Sequence, residues 1–159
     1  MSDGGVLFRR AREGDLPRVL ALFGYLQPRR AWREDQDGDA ARLFASMVAD
    51  PARHLLVAEA DGRVAGMLDV IIISNLSRDL SPWATFENLA VDPAFRRRGI
   101  ARGLLLHARD VAVANGCYKA QFVSGMGRKE AHRIYDGIGF DHPVRGWRRY
   151  LKEVDLTGI

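Results

Sequence analysis

The spacing of apolar residues changes along the chain, and each change marks a different element. A short apolar run predicts a first strand over residues 6–10. Leu16, Val19, Leu20 and Phe23 then recur at helical intervals, with Asp15 as the expected N-cap and Pro17 in the first turn. Residues 27–39 are rich in charge and carry Pro28 and Gly38, which reads as a loop or frayed helix. Leu43, Phe44, Met47 and Val48 restore helical spacing between Asp39 and Asp50, and Pro51 closes that element. Two strand-like runs, 54–59 and 64–73, flank Asp61-Gly62 and predict a hairpin. A loop over 75–82 leads to a strand over 85–91, a helix from Gly99 to about Asn115, a strand over 118–123, a helix from Lys129 to about Gly137, and a final strand over 147–154.

That order is α/β: a mixed sheet with a strand-helix-strand crossover at its centre, in one domain spanning 6–156. At 159 residues and 17.8 kDa, with 47% hydrophobic and 28% charged residues, the chain has the size and balance of one globular domain. No apolar run reaches the ~20 residues that cross a bilayer, and the first residues lack the basic and apolar regions of a signal peptide. A cytoplasmic location without membrane partners is therefore expected. The single cysteine, Cys117, excludes an intrachain disulfide and agrees with that. Asn75-Leu76-Ser77 fits a glycosylation acceptor, which has meaning only in a secreted chain. The net charge of +4 comes from dispersed arginine clusters, which suit solvated faces and anion sites better than a nucleic-acid surface.

The densest cluster carries the chemistry. The strand over 85–91 ends at Asp92-Pro93 and feeds Arg96-Arg97-Arg98-Gly99-Ile100-Ala101-Arg102-Gly103, a basic turn that opens a helix. Free N–H groups, the positive end of a helix and a glycine then meet at one point, which suits a diphosphate. It is not a P-loop, because no Gly-Lys-Ser/Thr follows, and it lacks the three glycines and acidic ribose ligand of a Rossmann fingerprint. Arg-x-x-Gly-x-Ala after a strand ending Val91-Asp92-Pro93 resembles the acetyl-coenzyme A motif of the GNAT superfamily of N-acetyltransferases. Residues 128–140, with Ala131, Tyr135, Gly139 and Phe140, are similar to that family's Asn-x-x-Ala-x-x-x-Tyr-x-x-x-Gly-Phe helix.

The resemblance implies the GNAT fold, a mostly antiparallel central sheet flanked by helices with a splayed strand pair that takes acetyl-CoA. It implies that Arg96, Arg97, Arg98, Gly99, Ile100, Ala101 and Arg102 hold the pyrophosphate, chiefly through main-chain amides. Leu89, Ala90 and Val91 would bond the pantetheine arm as an added strand does. Arg128 stands where the family commonly has asparagine, so it meets the cofactor, a phosphate or water. Tyr135 stands where the family places a phenol that protonates the leaving thiolate; read without the resemblance it is an amphipathic core tyrosine. Glu87, on a strand whose alternation groups Thr85, Glu87, Leu89 and Val91, is the candidate base for an amine that is otherwise protonated at neutral pH, or else a solvated strand residue.

Cys117 reads as a small buried residue, with nothing basic beside it to make a thiolate. His54, His107, His132 and His142 show no metal-ligand spacing, so no metal is expected. The implied activity is acetyl transfer from acetyl-CoA to a primary amine. The 87–91 strand and the turn at Gly116-Cys117-Tyr118-Lys119 are similar to small-amine members, including glucosamine-6-phosphate acetyltransferases. Peptide amines, and a non-catalytic acyl-CoA sensor, stay open, as does a homodimer, since final strands often pair between subunits in this family.

Overall fold

The computed structural model describes residues 5–26, 37–124 and 129–152. Two compact units divide the chain, Met1–Gln121 and Phe122–Ile159. The first unit contains a five-stranded sheet in the order β1-β2-β3-β4-β5: β1 (Leu7–Arg10), β2 (Arg53–Ala60), β3 (Arg63–Ile73), β4 (Trp83–Val91) and β5 (Ala120–Gln121). The first four are antiparallel neighbours, and β4 with β5 forms the parallel pair.

The hairpin of β2 and β3 forms where expected because Asp61 and Gly62 both take positive φ, 51° and 73°, the geometry of a two-residue turn that follows strand twist. Seven consecutive residues of β3, from Val64 to Val70, are buried, so this strand is covered on both faces. On one face, Leu55, Val57, Met67 and Ala90 pack with Val19 and Leu22 of α1 (Leu16–Leu26) and Phe44 of α2 (Asp37–Ala49). A single turn, α3 (Ser77–Leu80), interrupts the loop after β3, with Arg78, Asp79 and Leu80 at left-handed φ of 55°, 56° and 62°. The opposite face is covered by α4 (Ile100–Ala114), which buries Ile100, Leu104, Leu105, Ala108 and Ala112.

Close seating of α4 depends on two glycines. A Cβ at Gly66 of β3 would stand 2.9 Å from Ile100 Cγ2 and 3.1 Å from the carbonyl oxygen of Ala90. A Cβ at Gly103 of α4 would lie 2.1 Å from Cζ of Phe8 on β1. These contacts set the height of the α4 N-terminus over β3 and β4.

Several expected boundaries differ. Asp15 is not the side-chain cap of α1 among the described residues: it ends a 3₁₀ turn, Glu13–Asp15, accepts the Arg12 N–H at 2.8 Å, and takes two bonds from the Arg9 guanidinium at 2.7 and 3.0 Å. That guanidinium holds the Asp15 carboxyl below the ordinary carboxylate range. The strand expected over 118–123 is paired at Ala120 and Gln121 alone. Of the final strand expected over 147–154, residues 147–152 form no strand, and 153–154 lie outside the described residues, as does most of the 27–39 loop. Residues 147–152 pair with no strand among the described residues, and an extended segment without a partner is not a strand. In the second unit, α5 (Lys129–Asp136) forms close to the expected span.

Gly66→Ala is expected to destabilise the protein by about 1–3 kcal/mol, the usual cost of overpacking. A Tm fall in thermal unfolding is the readout, and an unchanged Tm would mean that α4 is not seated by this contact.

Candidate functional site

The strand that leads into the basic turn carries a bulge. Asp69 of β3 lies opposite Glu87 and Met67 opposite Ala90, so two residues of β4, Asn88 and Leu89, face Leu68. Asn88 takes φ 58°, a left-handed conformation that asparagine tolerates better than most residues. The extra residue inverts the alternation beyond it. Thr85, Glu87, Leu89 and Val91 therefore do not share one face as the simple period suggests: Ala90 falls on the face of Glu87, and Val91 turns to the other. Burial agrees, since Ala90 packs beside Met67 in the core.

Glu87 is exposed and makes no ion pair among the described residues. Its cross-strand neighbour Asp69 is buried, 1% exposed, and both its oxygens accept from Arg53 Nε at 3.0 and 3.1 Å. In return the Asp69 carboxylate raises the Arg53 guanidinium above its ordinary pKa. Two carboxylates thus stand side by side on one face of β3 and β4, one neutralised and one facing solvent.

On its other edge β4 pairs with β5 only at Ala84 opposite Ala120 and Thr85 opposite Gln121. No strand among the described residues is paired with that edge from Glu87 to Val91. Main-chain groups along a splayed edge can accept an extended ligand as an additional strand.

Beyond Val91 the chain is anchored before it turns. Asp92 is buried, donates its own N–H to the Ala65 carbonyl at 2.8 Å, and accepts the Ala94 N–H at 3.0 Å and Arg18 Nη2 at 2.8 Å. Burial pushes its carboxyl up, but the Ala94 amide and the Arg18 guanidinium outweigh that and keep it below the ordinary carboxylate range. Arg18 also donates to the Val64 carbonyl, tying α1 to the same point. A 3₁₀ turn, Pro93–Phe95, follows, and Phe95 is buried.

From Arg96 to Gly99 every residue is exposed. Arg97 takes φ 61° and Gly99 φ 77°, with Arg98 between them outside the left-handed region, an alternation that turns successive amides toward one concavity. Among the described residues, the N–H groups of Arg97, Arg98, Gly99, Ile100, Ala101 and Arg102 donate to no protein acceptor, whereas Gly103 N–H closes the first helical bond to Gly99 O at 2.9 Å. A Cβ on Gly99 would meet nothing within 4 Å, so the space in front of the turn is open. Unused donors, open space and a helix start fit a diphosphate. Arg96, Arg97 and Arg102 make no ion pair among the described residues, while Arg98 is bonded to Asp61 of the hairpin turn at 2.8 Å.

Tyr135 lies on α5 in the second unit. Its ring stands edge-on to Phe122, with centroids 4.4 Å apart, and 6.1 Å from His132. Within that unit no described residue hydrogen-bonds its hydroxyl. Arg128 lies outside the described residues. Burial pushes the Cys117 thiol up, which disfavours a thiolate nucleophile there.

The sequence profile of the Acetyltransferase (GNAT) family matches residues 21–140. The chain belongs to the GNAT acetyltransferase family. It is an enzyme of that class, and its sheet with flanking helices is the GNAT fold. A candidate acetyltransferase of Agrobacterium tumefaciens str. C58 superposes with a TM-score of 0.84 at 31% identity, over 91% of this chain and 99% of that one. Glucosamine 6-phosphate N-acetyltransferase of Trypanosoma brucei brucei is 25% identical over 134 residues, 83% of this chain and 86% of its own. An uncharacterised N-acetyltransferase of Methanocaldococcus jannaschii is 31% identical over 102 residues. That match takes in 62% of this GNAT chain but only 44% of the archaeal protein, so the chain spans less than half of that relative's length.

Proposed function

We propose that this GNAT enzyme transfers the acetyl group of acetyl-CoA directly to a primary amine of a small molecule. The reading is carried by residues 97–102, an exposed turn and the helix start it feeds, whose amides have no protein acceptor among the described residues. The splayed, bulged edge of β4 leads into it. The turn holds the pyrophosphate through its amides, and Leu89, Ala90 and Val91 offer main-chain groups to the pantetheine arm. The relative that acts on glucosamine 6-phosphate supports a small amine, such as an amino sugar, as acceptor.

The chemistry needs two protons to leave the nitrogen and one to reach the sulfur. Glu87, exposed and without an ion-pair partner among the described residues, takes the ammonium proton through water, leaving a neutral nitrogen that attacks the thioester carbonyl. The carbon–sulfur bond breaks as the amide forms, and the sulfur leaves as a thiolate. Tyr135, on the helix that resembles the family's tyrosine helix, gives that thiolate its proton, and its phenolate is reprotonated by the second proton that the attacking nitrogen sheds as the amide forms. Arg128, at the position of the family's asparagine, contributes a cation to the arm or its phosphates.

Three variants test these roles. Gly99→Glu places a side chain and a negative charge in the open space before the turn, at a backbone strain of about 1–2 kcal/mol. Coenzyme A binding measured by calorimetry is expected to vanish in a protein that still folds; unchanged affinity would remove the site. Tyr135→Phe is expected to slow turnover on an amine panel about 100-fold while coenzyme A affinity is kept. Equal rates would return the phenol to packing, and tight binding without turnover by the wild type on any amine would favour a sensor. Glu87→Gln is expected to cut kcat/KM about 100-fold and to flatten the acidic limb of its pH profile. An unaltered profile would leave Glu87 a solvated strand residue.

A further inference from the structure

Among the described residues, Arg98 is the arginine of the exposed turn that forms an ion pair within the protein. Its Nη1 donates to Asp61 Oδ2 at 2.8 Å, and its Nη2 reaches Oδ1 at 3.4 Å. The guanidinium also lies 5.2 Å from the centroid of the Phe95 ring, which Arg63 approaches at 5.5 Å. Asp61 comes from the hairpin turn between β2 and β3, far away in sequence, where it takes a left-handed φ of 51°, and its bond to Arg98 brings a carboxylate to a side chain of the turn. A carboxylate is a poor neighbour for a turn that gathers unused N–H donors. It repels an incoming anion, and it also engages the nearest cation, so both effects have the same sign.

We infer that Asp61 is an affinity-setting residue, an internal anion that competes with the bound diphosphate for Arg98 and holds coenzyme A affinity below what the turn could reach. The inference rests on reading residues 97–102 as the diphosphate site. When the diphosphate arrives, Arg98 is shared or released, and the Asp61 carboxylate recovers it as the product coenzyme A departs. A weaker hold on product suits an enzyme that must empty the same turn after each cycle.

The test is calorimetry of coenzyme A on the wild type, Asp61→Asn, Arg98→Ala and the double variant at low and at moderate salt. Asparagine accepts a left-handed φ, so the hairpin turn survives the change, and loss of an exposed ion pair leaves Tm nearly unaltered. Asp61→Asn is expected to bind coenzyme A about two- to fivefold more tightly at low salt, with the gain shrinking as salt rises. In the Arg98→Ala background the same change is expected to give a smaller gain, the part due to direct repulsion alone. Equal or weaker binding by Asp61→Asn overturns the inference, as does an undiminished gain without Arg98. Failure of the wild type itself to bind coenzyme A would instead overturn the diphosphate reading on which the inference stands.

Discussion

The buried carboxylate of Asp92 is the constraint on which the geometry of the turn depends. It stops β4, caps the short turn that follows, and receives the Arg18 guanidinium from the helix on the opposite side of the sheet. Arg63 adds a longer contact at 3.5 Å. Strand end, first helix and β3 are fixed to one point, because a buried charge is tolerated only where partners satisfy it. The consequence lies just downstream. With its root held, the chain can leave Arg96 to Gly99 exposed and carry two left-handed residues, of which Arg97, with its Cβ, holds strain that a loose loop would relax away.

Gly66 and Gly103 set the other side of this arrangement. One glycine lets Ile100 descend onto β3, and the other lets the Phe8 ring lie under the helix. The N-terminus of α4 reaches the level of Val91 because neither position carries a side chain. Recognition by main-chain donors demands such accuracy, since an amide has no rotamer with which to correct a misplaced helix.

Legibility in the sequence followed the range of the physics. Asp61-Gly62 marked its hairpin because positive φ at two successive residues is a local demand with a local signature. The turn before α4 was legible for the same reason, as a basic, glycine-containing start to an apolar-periodic helix. Asn88 was not, because a period-of-two reading counts every residue equally, and one inserted residue inverts all that follows it. An asparagine in the middle of an apolar strand was the available signal. The extent of β5 and the fate of residues 147–152 were set by pairing rather than by composition, and a strand has no length apart from its partner. The bond from Asp61 to Arg98 joins positions that no periodicity relates. Family resemblance named Tyr135 and Glu87, but side-chain pattern alone left each with an ordinary structural alternative.

The strand order β1-β2-β3-β4-β5 has a kinetic meaning. Apart from the helical excursions, each strand bonds to the one synthesised just before it, so the sheet can grow in the sequence in which the ribosome delivers it. The hairpin of β2 and β3 needs only a two-residue closure, which makes it a natural nucleus. The parallel step to β5 must wait for the whole of α4. The β4 edge that takes β5 is therefore the last part of the sheet that the chain can complete, after the turn at residues 96–99 has already been made.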